Sequence, residues 1–258
     1  MNIINFSGGR TSAYMTKRLI DEGLTDYIVM FANTGKEMPQ TLEFINECSL
    51  RWKIDITWIE YRYGNKFEVV NYETASRDGR PFTELIDYKK GFLPNRMNRY
   101  CTDQLKIQTC KRYLKNLNLK HWTIYNGIRY DEPQRWSKMK NSLPDYIDLE
   151  MPLVRWKITK NDIKIFWENQ LFDLNLNNLF GNCDCCFLKG KGKILKIAKQ
   201  KPELLSWWIE KENNLLNKGI KNGTFINNMS LIKLLEISKS QGNLFENDPS
   251  FECFCNID

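Results

Sequence analysis

Ile3-Ile4-Asn5-Phe6-Ser7-Gly8-Gly9-Arg10-Thr11-Ser12 opens the chain with a short apolar run, two consecutive glycines and a hydroxyl-rich entry into a helical pattern from Ala13 to about Glu22. A strand, a glycine turn and a helix N-terminus in that order make an anion cradle. Consecutive glycines let the backbone turn tightly and approach a phosphate without a Cβ in the way. The unpaired amides of the first helical turn, at the positive end of the helix dipole, then face the anion. Ser7, Thr11 and Ser12 add hydroxyl donors. The stretch matches neither Gly-x-x-x-x-Gly-Lys-[Ser/Thr] nor Gly-x-Gly-x-x-Gly. On spacing alone it reads equally as a cradle or as an ordinary strand-to-helix turn.

Working outward, Ile3 to Phe6 and Tyr27 to Phe31 are short continuous apolar runs bounded by turn signals, which predict buried strands. Ile54 to Ile59 alternates like a half-buried strand, and His121 to Tyr125 predicts a further one. Ala13 to Ile20 and Thr41 to Leu50 carry apolar residues at helical spacing, and Thr102 to Leu117 is amphipathic. Strands separated by helices imply parallel pairing, right-handed crossovers and helices on both faces. The expected fold is therefore α/β, a doubly wound, mainly parallel sheet. Its ligand belongs outside the carboxyl ends of the strands, where the loops Ser7 to Ser12, Ala32 to Glu37 and Gly127 to Arg135 fall. Arg62 to Pro94 gives no clear pattern, and Asn95 to Arg99 reads as a polar, basic loop or flap. From about Asp145 the pattern turns helical, with Thr159 as a candidate N-cap. The division expected is a nucleotide-binding α/β domain over 1–145 and a mainly helical, cysteine-bearing region over 146–258.

With 258 residues, 42% hydrophobic and 27% charged, the chain can bury a sizeable core. No apolar run approaches the roughly 18 residues of a membrane span, and Met1-Asn2-Ile3 leads straight into a strand with no cleavable leader. The expectation is a cytoplasmic protein without a membrane partner. The formal charge of +7, with basic clusters at Lys89-Lys90, Arg96, Arg99, Lys106 and Lys111-Arg112, suits an anionic partner. The same residues read as solvated helix faces when taken singly.

Eight cysteines and one histidine, His121, in a chain with no export signal favour metal, catalysis or plain burial over disulfides. Any closed metal site must be mostly thiolate, hence an iron-sulfur cluster or an all-cysteine zinc site. Cys183 and Cys186 have the spacing that lets two thiolates reach one metal, and Cys253 with Cys255 could close the set. Cys101 is a fifth candidate or a nucleophile, and Cys48 and Cys110 read as buried on helix faces.

The ordered set of motifs resembles the PP-loop ATP pyrophosphatase superfamily and, within it, the phosphoadenosine phosphosulfate (PAPS) reductase-like family. The residues that carry the likeness are Ser7 to Ser12, Phe31-Ala32-Asn33-Thr34-Gly35-Lys36-Glu37, Arg99-Tyr100-Cys101-Thr102-Asp103-Gln104-Leu105-Lys106, Gly127-Ile128-Arg129-Tyr130-Asp131-Glu132-Pro133-Gln134-Arg135 and Cys183-Asp184-Cys185-Cys186. The resemblance implies an adenine nucleotide alpha hydrolase-like fold and a nucleotide, ATP or PAPS. Ser7, Gly8, Gly9, Thr11 and Ser12 would hold its phosphates, with Arg10 as an extra cation or a solvent-facing side chain. Asn33, Thr34 and Gly35 would line the adenosine pocket, with Gly127 at the facing loop. Arg129 and Arg135 fit a clamp for phosphate or sulfate, or a structural network with Asp131 and Glu132. Many relatives have Asp in place of Thr11, so the expectation of magnesium is weakened here.

Such enzymes generally transfer the adenylyl group of ATP to an oxygen, release pyrophosphate, and let a sulfur or nitrogen nucleophile displace AMP. With the cysteine cluster, the resemblance points first to an ATP-dependent sulfurtransferase acting on tRNA, DNA or a small anionic acceptor. That enzyme would need a sulfur donor, with a thiolate or a cluster-bound sulfide delivering the sulfur and Cys101 and Cys253 as the candidate catalytic thiols. The alternative enzyme is a PAPS reductase forming sulfite with a thioredoxin-like reductant. That family uses Glu-Cys-Gly-x-His near its C-terminus, whereas Glu252-Cys253-Phe254-Cys255 keeps only the Glu-Cys pair. A third reading is a non-catalytic nucleotide sensor with a structural metal.

Overall fold

The computed structural model describes residues 1–139, 143–177, 179–219, 223–226 and 229–240. Its centre is a six-stranded sheet in the order β4-β3-β2-β1-β5-β6. The chain enters through β1 (Asn2–Asn5), α1 (Arg10–Asp21), β2 (Tyr27–Asn33), α2 (Pro39–Trp52) and β3 (Ile56–Glu60). It then forms β4 (Glu68–Val70), α3 (Arg80–Tyr88), a π-helical segment (Cys101–Gln108), α4 (Thr109–Asn116), β5 (Trp122–Tyr125), α5 (Pro133–Met139) and β6 (Ile147–Glu150). Pairing is parallel throughout except at the edge, where β4 runs antiparallel to β3. The structure is thus the α/β sheet expected, with a strand and a helix inside the stretch that showed no clear pattern.

Side-chain alternation along the central strands divides the core. Ile4, Val29, Phe31, Ile56 and Trp58 join the larger cluster on one face. Ile3, Met30 and Ile59 join the smaller one, with Leu114, Trp122 and Ile147. Both faces of a parallel sheet must be covered, which is why these strands read as continuous apolar runs. The larger face receives α1, α2 and the C-terminal helices, the smaller one α4.

The chain continues through α6 (Pro152–Arg155), α7 (Lys160–Glu168), a 3-10 turn (Phe187–Lys189), α8 (Gly190–Gln200), α9 (Ser206–Leu216) and α10 (Leu231–Ser240). Thr159 caps α7 in a reciprocal pair with Asp162, as its position predicts. Two observations bear on the boundary expected at residue 145. β6 lies beyond it yet extends the sheet by pairing with β5. Leu153, Trp167, Ile194 and Trp208 share one core cluster with residues of the first half. Amphipathic helices without a second core of their own must bury their apolar stripes on the sheet. No helix among the described residues is long and apolar enough to cross a membrane.

Glu212 on α9 is 1% exposed, and its carboxylate accepts the amides of Phe225 (2.9 Å) and Leu231 (2.7 Å). Burial raises its pKa from 4.5 to about 7, with the two amide bonds pulling the other way. Between those values the native state keeps a proton that the unfolded chain has released, so this contribution to stability shrinks as pH rises. The stability of the parent relative to Glu212→Gln should therefore fall from pH 4.5 to about 7 and level off above. The slope should be on the order of 1 kcal/mol per pH unit, read from urea unfolding across that range.

Candidate functional site

The carboxyl ends of β1, β2 and β5 lie side by side because these strands are parallel neighbours, so their loops share one edge. In the first loop Gly8 takes φ +80°, and a Cβ there would sit 2.6 Å from Thr41 Cγ2. The glycine thus lets the turn lie directly on the first turn of α2. Gly9 occupies the N-cap of α1 and supplies no side-chain cap, which leaves the leading amides of α1 without side-chain partners. Ser12 Oγ accepts from the Ser7 amide (3.1 Å), meets Ser7 Oγ (3.0 Å) and donates to the Gly9 carbonyl (3.0 Å). These bonds hold the loop closed on itself.

Buried hydroxyls normally find partners. Thr11 Oγ1 and Thr41 Oγ1 are buried with none, and Gln40 Oε1 and Asn182 Oδ1 are in the same condition. Thr11 and Gln40 lie in the first turns of α1 and α2, and Thr41 packs on Gly8. Asn182 donates its Nδ2 to the Ser7 carbonyl at 2.9 Å. Uncapped amides and unspent oxygens at one loop are groups that a polar ligand would complete.

Arg10 departs from the expectation of a phosphate-side cation. Its guanidinium makes two bonds to Asp173, at 2.6 and 2.7 Å. Trp167 Nε1 donates to its carbonyl at 3.1 Å. It ties the loop to the chain after α7, because a bidentate carboxylate outcompetes water for the fork.

In the second loop the polar groups are largely spent within the protein. Asn33 donates to Glu60 (2.5 Å) and to the Ser76 carbonyl (2.9 Å), while its Oδ1 accepts the Gly35 amide (3.1 Å). Thr34 donates through its amide and hydroxyl to Glu37, each at 2.9 Å. Gly35 has φ +76°, and a Cβ there would meet Gly79 at 3.0 Å. Asn33, Thr34 and Gly35 therefore shape the loop and seat the 76–79 turn beside it. Glu60, fully buried, also receives Arg62 (2.5 Å) and Ser76.

In the third loop a Cβ on Gly127 would lie 3.2 Å from Ser12 Cα, so the absence of a side chain lets this loop lie close against the first. Arg129, with its side chain 4% exposed, bonds Asp131 at 2.9 Å. Arg135 is 57% exposed and pairs with Glu132. Burial opposes the charge of Asp131, but the Lys160 amide and Arg129 bring its pKa below the ordinary aspartate value. Both arginines are thus held by carboxylates within their own loop, which orients them at this edge.

The cysteine segment is stitched to the second loop by backbone bonds. Met38 N donates to Asn182 O (2.7 Å), Asp184 N to Lys36 O (2.9 Å), and Glu37 bridges to Cys183. Lys36 and Asp184, each 10% exposed, pair at 2.7 Å, and Trp208 Nε1 donates to Asp184 at 2.7 Å. Cys185 turns into the core, and burial pushes its thiol up to about 12. Cys183, Cys186 and Cys101, the last at the start of the π-helical segment, each interact electrostatically with Lys106, and Cys186 also with the other two. Burial raises the pKa of Cys101 and of Cys183, while Lys106 opposes the rise at both. Burial works against the Lys106 ammonium, but Glu37 at 3.5 Å and the three thiols hold its pKa above the ordinary lysine value. Cys48 is buried on α2 as expected, while Cys110 on α4 is partly buried, its thiol pushed up to about 12 by desolvation.

Among the described residues no group of three cysteine, histidine or carboxylate side chains is arranged to hold a metal ion. Cys253 and Cys255, the other half of the expected set, lie outside the described residues. Sequence reasoning missed Asn182, Thr41, Lys106 as a partner of Glu37, and the Lys36-Asp184 pair. The signal for Asn182 was its place between Gly181 and Cys183; the others carry no local signature.

The family model described as "Phosphoadenosine phosphosulfate reductase domain" matches residues 1–175. The chain is 30% identical over 206 residues to the "Uncharacterized nin region protein ORF290" of Escherichia phage lambda, covering 75% of this chain and 68% of that protein. It is 23% identical over 217 residues to "Uncharacterized protein MJ0973" of Methanocaldococcus jannaschii, covering 80% of this chain and 46% of that protein, so it spans less than half of that relative's length. It is 26% identical over 141 residues to a "Phosphoadenosine 5'-phosphosulfate reductase" of Photobacterium profundum, covering 53% of this chain and 47% of that protein. A solved phosphoadenylyl-sulfate (PAPS) reductase from Candida auris, in a phosphate complex, overlays with a TM-score of 0.41 at 14% identity, over 65% of this chain and 71% of that one.

Two substitutions separate loop geometry from ligand contact. Gly8→Ala should cost about 1–2 kcal/mol in backbone strain, add a clash with Thr41, and abolish nucleotide binding. Thr11→Val removes a buried hydroxyl without a partner, so stability should hold or rise by about 1 kcal/mol while nucleotide affinity drops several-fold. Thermal unfolding and calorimetric titration with ATP and PAPS check both.

Proposed function

The chain belongs to the phosphoadenosine phosphosulfate reductase domain family, and on that premise we propose that it is an ATP-dependent sulfurtransferase acting on a nucleic acid or a small anionic acceptor. The observation that carries the reading is the stitch at Asn182. Its side chain bonds the loop at Ser7, and the next residue, Cys183, interacts electrostatically with Cys186 and with Lys106, which also interacts with Cys101. A cysteine segment tethered to the proposed anion cradle supports this reading, because adenylation followed by sulfur delivery needs both.

In this reading the amides and hydroxyls of Ser7 to Ser12 bind the phosphates, and Thr11 and Thr41 complete their hydrogen bonds on the ligand. Thr11, standing in place of an aspartate, would offer a bound magnesium ion a hydroxyl, and the ion would offset phosphate charge. An acceptor oxygen attacks the α-phosphorus, the bond to the β-phosphate oxygen breaks, and pyrophosphate leaves. A sulfide-level sulfur from a donor then attacks the activated carbon, and AMP departs with the oxygen. Arg129 and Arg135 would steady the phosphates, and Lys106 would favour the thiolate forms of Cys101 and Cys183 against the effect of burial. Cys183 and Cys186, joined by Cys253 and Cys255, would hold zinc or an iron-sulfur cluster. Such a group would supply a fixed thiolate site or a bound sulfide.

A second reading, PAPS reduction to sulfite with a thioredoxin-like reductant, is favoured by the family model and by the Photobacterium profundum relative. In that reading Cys253 is the nucleophile. Loss of the Gly and His that follow the Glu-Cys pair in such reductases counts against it.

Incubation with ATP, sulfide and a nucleic-acid acceptor should release pyrophosphate, and PAPS with thioredoxin should give no sulfite. Sulfite formation would replace the sulfurtransferase by the reductase; neither product would leave a nucleotide-binding sensor. Protein purified without oxygen should contain zinc, or iron with sulfide and a broad absorption near ~400 nm. Cys186→Ser should lose that metal, and full retention would remove Cys186 from the ligand set.

A further inference from the structure

Residues 88–99 carry Lys89, Lys90, Arg96 and Arg99 and no carboxylate, and all four cations are exposed. Three aromatic rings stand in solvent among them: Tyr63 at 62%, Tyr88 at 56% and Phe92 at 53% exposure. One exposed aromatic is unremarkable in a folded protein, but here two are in contact and the third lies on the same short segment as the cations. The rings of Tyr63 and Tyr88 lie 5.4 Å apart. Lys89 Nζ stands 5.8 Å from the Tyr88 ring and 5.9 Å from that of Tyr100. The Tyr100 hydroxyl donates to the Phe92 carbonyl, and the Phe92 amide to the Lys89 carbonyl at 3.1 Å. Glu84, which accepts the Tyr63 amide, is neutralised by Arg80 at 2.9 Å.

Aromatic faces interleaved with cations suit a single strand, whose unpaired bases stack while its phosphates meet lysine and arginine. A duplex hides its base faces and gains nothing from the rings. The surface ends at Tyr100, and the next residue, Cys101, stands beside Cys186 and Lys106. A strand lying here would bring one nucleotide to the thiol cluster. We infer that Tyr63, Tyr88 and Phe92, with Lys89, Lys90 and Arg99, form the docking face for a single-stranded nucleic-acid acceptor. The inference deepens the sulfur-transfer reading and rests on it for the identity of the acceptor.

The test is anisotropy of a short fluorescein-labelled oligonucleotide titrated with the full chain, without ATP or sulfur donor. The single strand should bind more tightly than the duplex of the same sequence. Tyr63→Ala with Tyr88→Ala should weaken it on the order of tenfold for each stacked base lost. Lys89→Gln with Lys90→Gln should reduce the slope of log affinity against log salt by about 0.7 for each phosphate contact removed. ATP affinity should be unchanged in both variants, showing that they fold. Equal binding of duplex and single strand, parent-like binding by the aromatic variant, or no binding would each overturn the assignment. Capture of thioredoxin by the parent but not the aromatic variant, with no oligonucleotide bound, would overturn it in favour of a protein partner. Because no ATP is present, failure of the sulfurtransferase reading would appear in pyrophosphate release and leave this titration intact.

Discussion

Parallel pairing of β1 with β2 on one side and β5 on the other is the interaction on which the site depends. Asn5 stands opposite Met30 and Ile4 opposite Tyr125, so three chains leave the sheet at one edge and in one direction. Their loops meet without any side chain having to reach across the molecule. Glycine then sets how closely they meet: Gly8 lies on Thr41, Gly35 on Gly79 and Gly127 on Ser12. The cradle is as much a packing arrangement of backbones as a set of donors.

The polar groups at this edge fall into two kinds. Asn33, Glu60, Arg62 and Ser76 form a closed buried network in which each charge has a partner. The Lys36-Asp184 pair, with Trp208, is similarly closed. Such pairs gain little net stability after desolvation, but they fix how the 76–79 turn and the cysteine segment sit on the second loop. Thr11, Thr41, Gln40 and Asn182 keep oxygens unspent. The contrast separates residues whose polar groups are spent within the protein from residues that keep an oxygen without a partner. Arg10 belongs with the first kind through Asp173, although its place in the glycine loop suggests otherwise.

The cysteines divide along the same line. Cys185 fills core, while Cys183 and Cys186 face Cys101 and Lys106. Three cysteines in four residues could not all share one core face, and the turn before the 3-10 segment sends them apart. The π-helical geometry from Cys101 to Gln108 brings Lys106 to Glu37 while Leu105 stays in the core. This local widening of the helix, frequent at functional sites, has no counterpart in the amphipathic pattern of residues 102–117.

The strands β1, β2, β3 and β5, the helices α1 and α2, the cap at Thr159 and the glycine turn after β1 were legible in the sequence, because each is decided by neighbours within a few positions: apolar runs, 3.6-residue spacing, capping chemistry and the absence of a Cβ. The antiparallel edge strand β4 was not legible, since three exposed or half-buried residues carry no periodic signal. Nor was the placement of β6 past residue 145, or the role of Asn33, whose partners Glu60 and Ser76 are 27 and 43 positions away. By itself the sequence determined a nucleotide-type α/β sheet and the residues able to do chemistry. Only the tertiary structure decided which of them remain available and which are consumed as struts, because a side chain's free donors depend on partners that folding brings from distant parts of the chain.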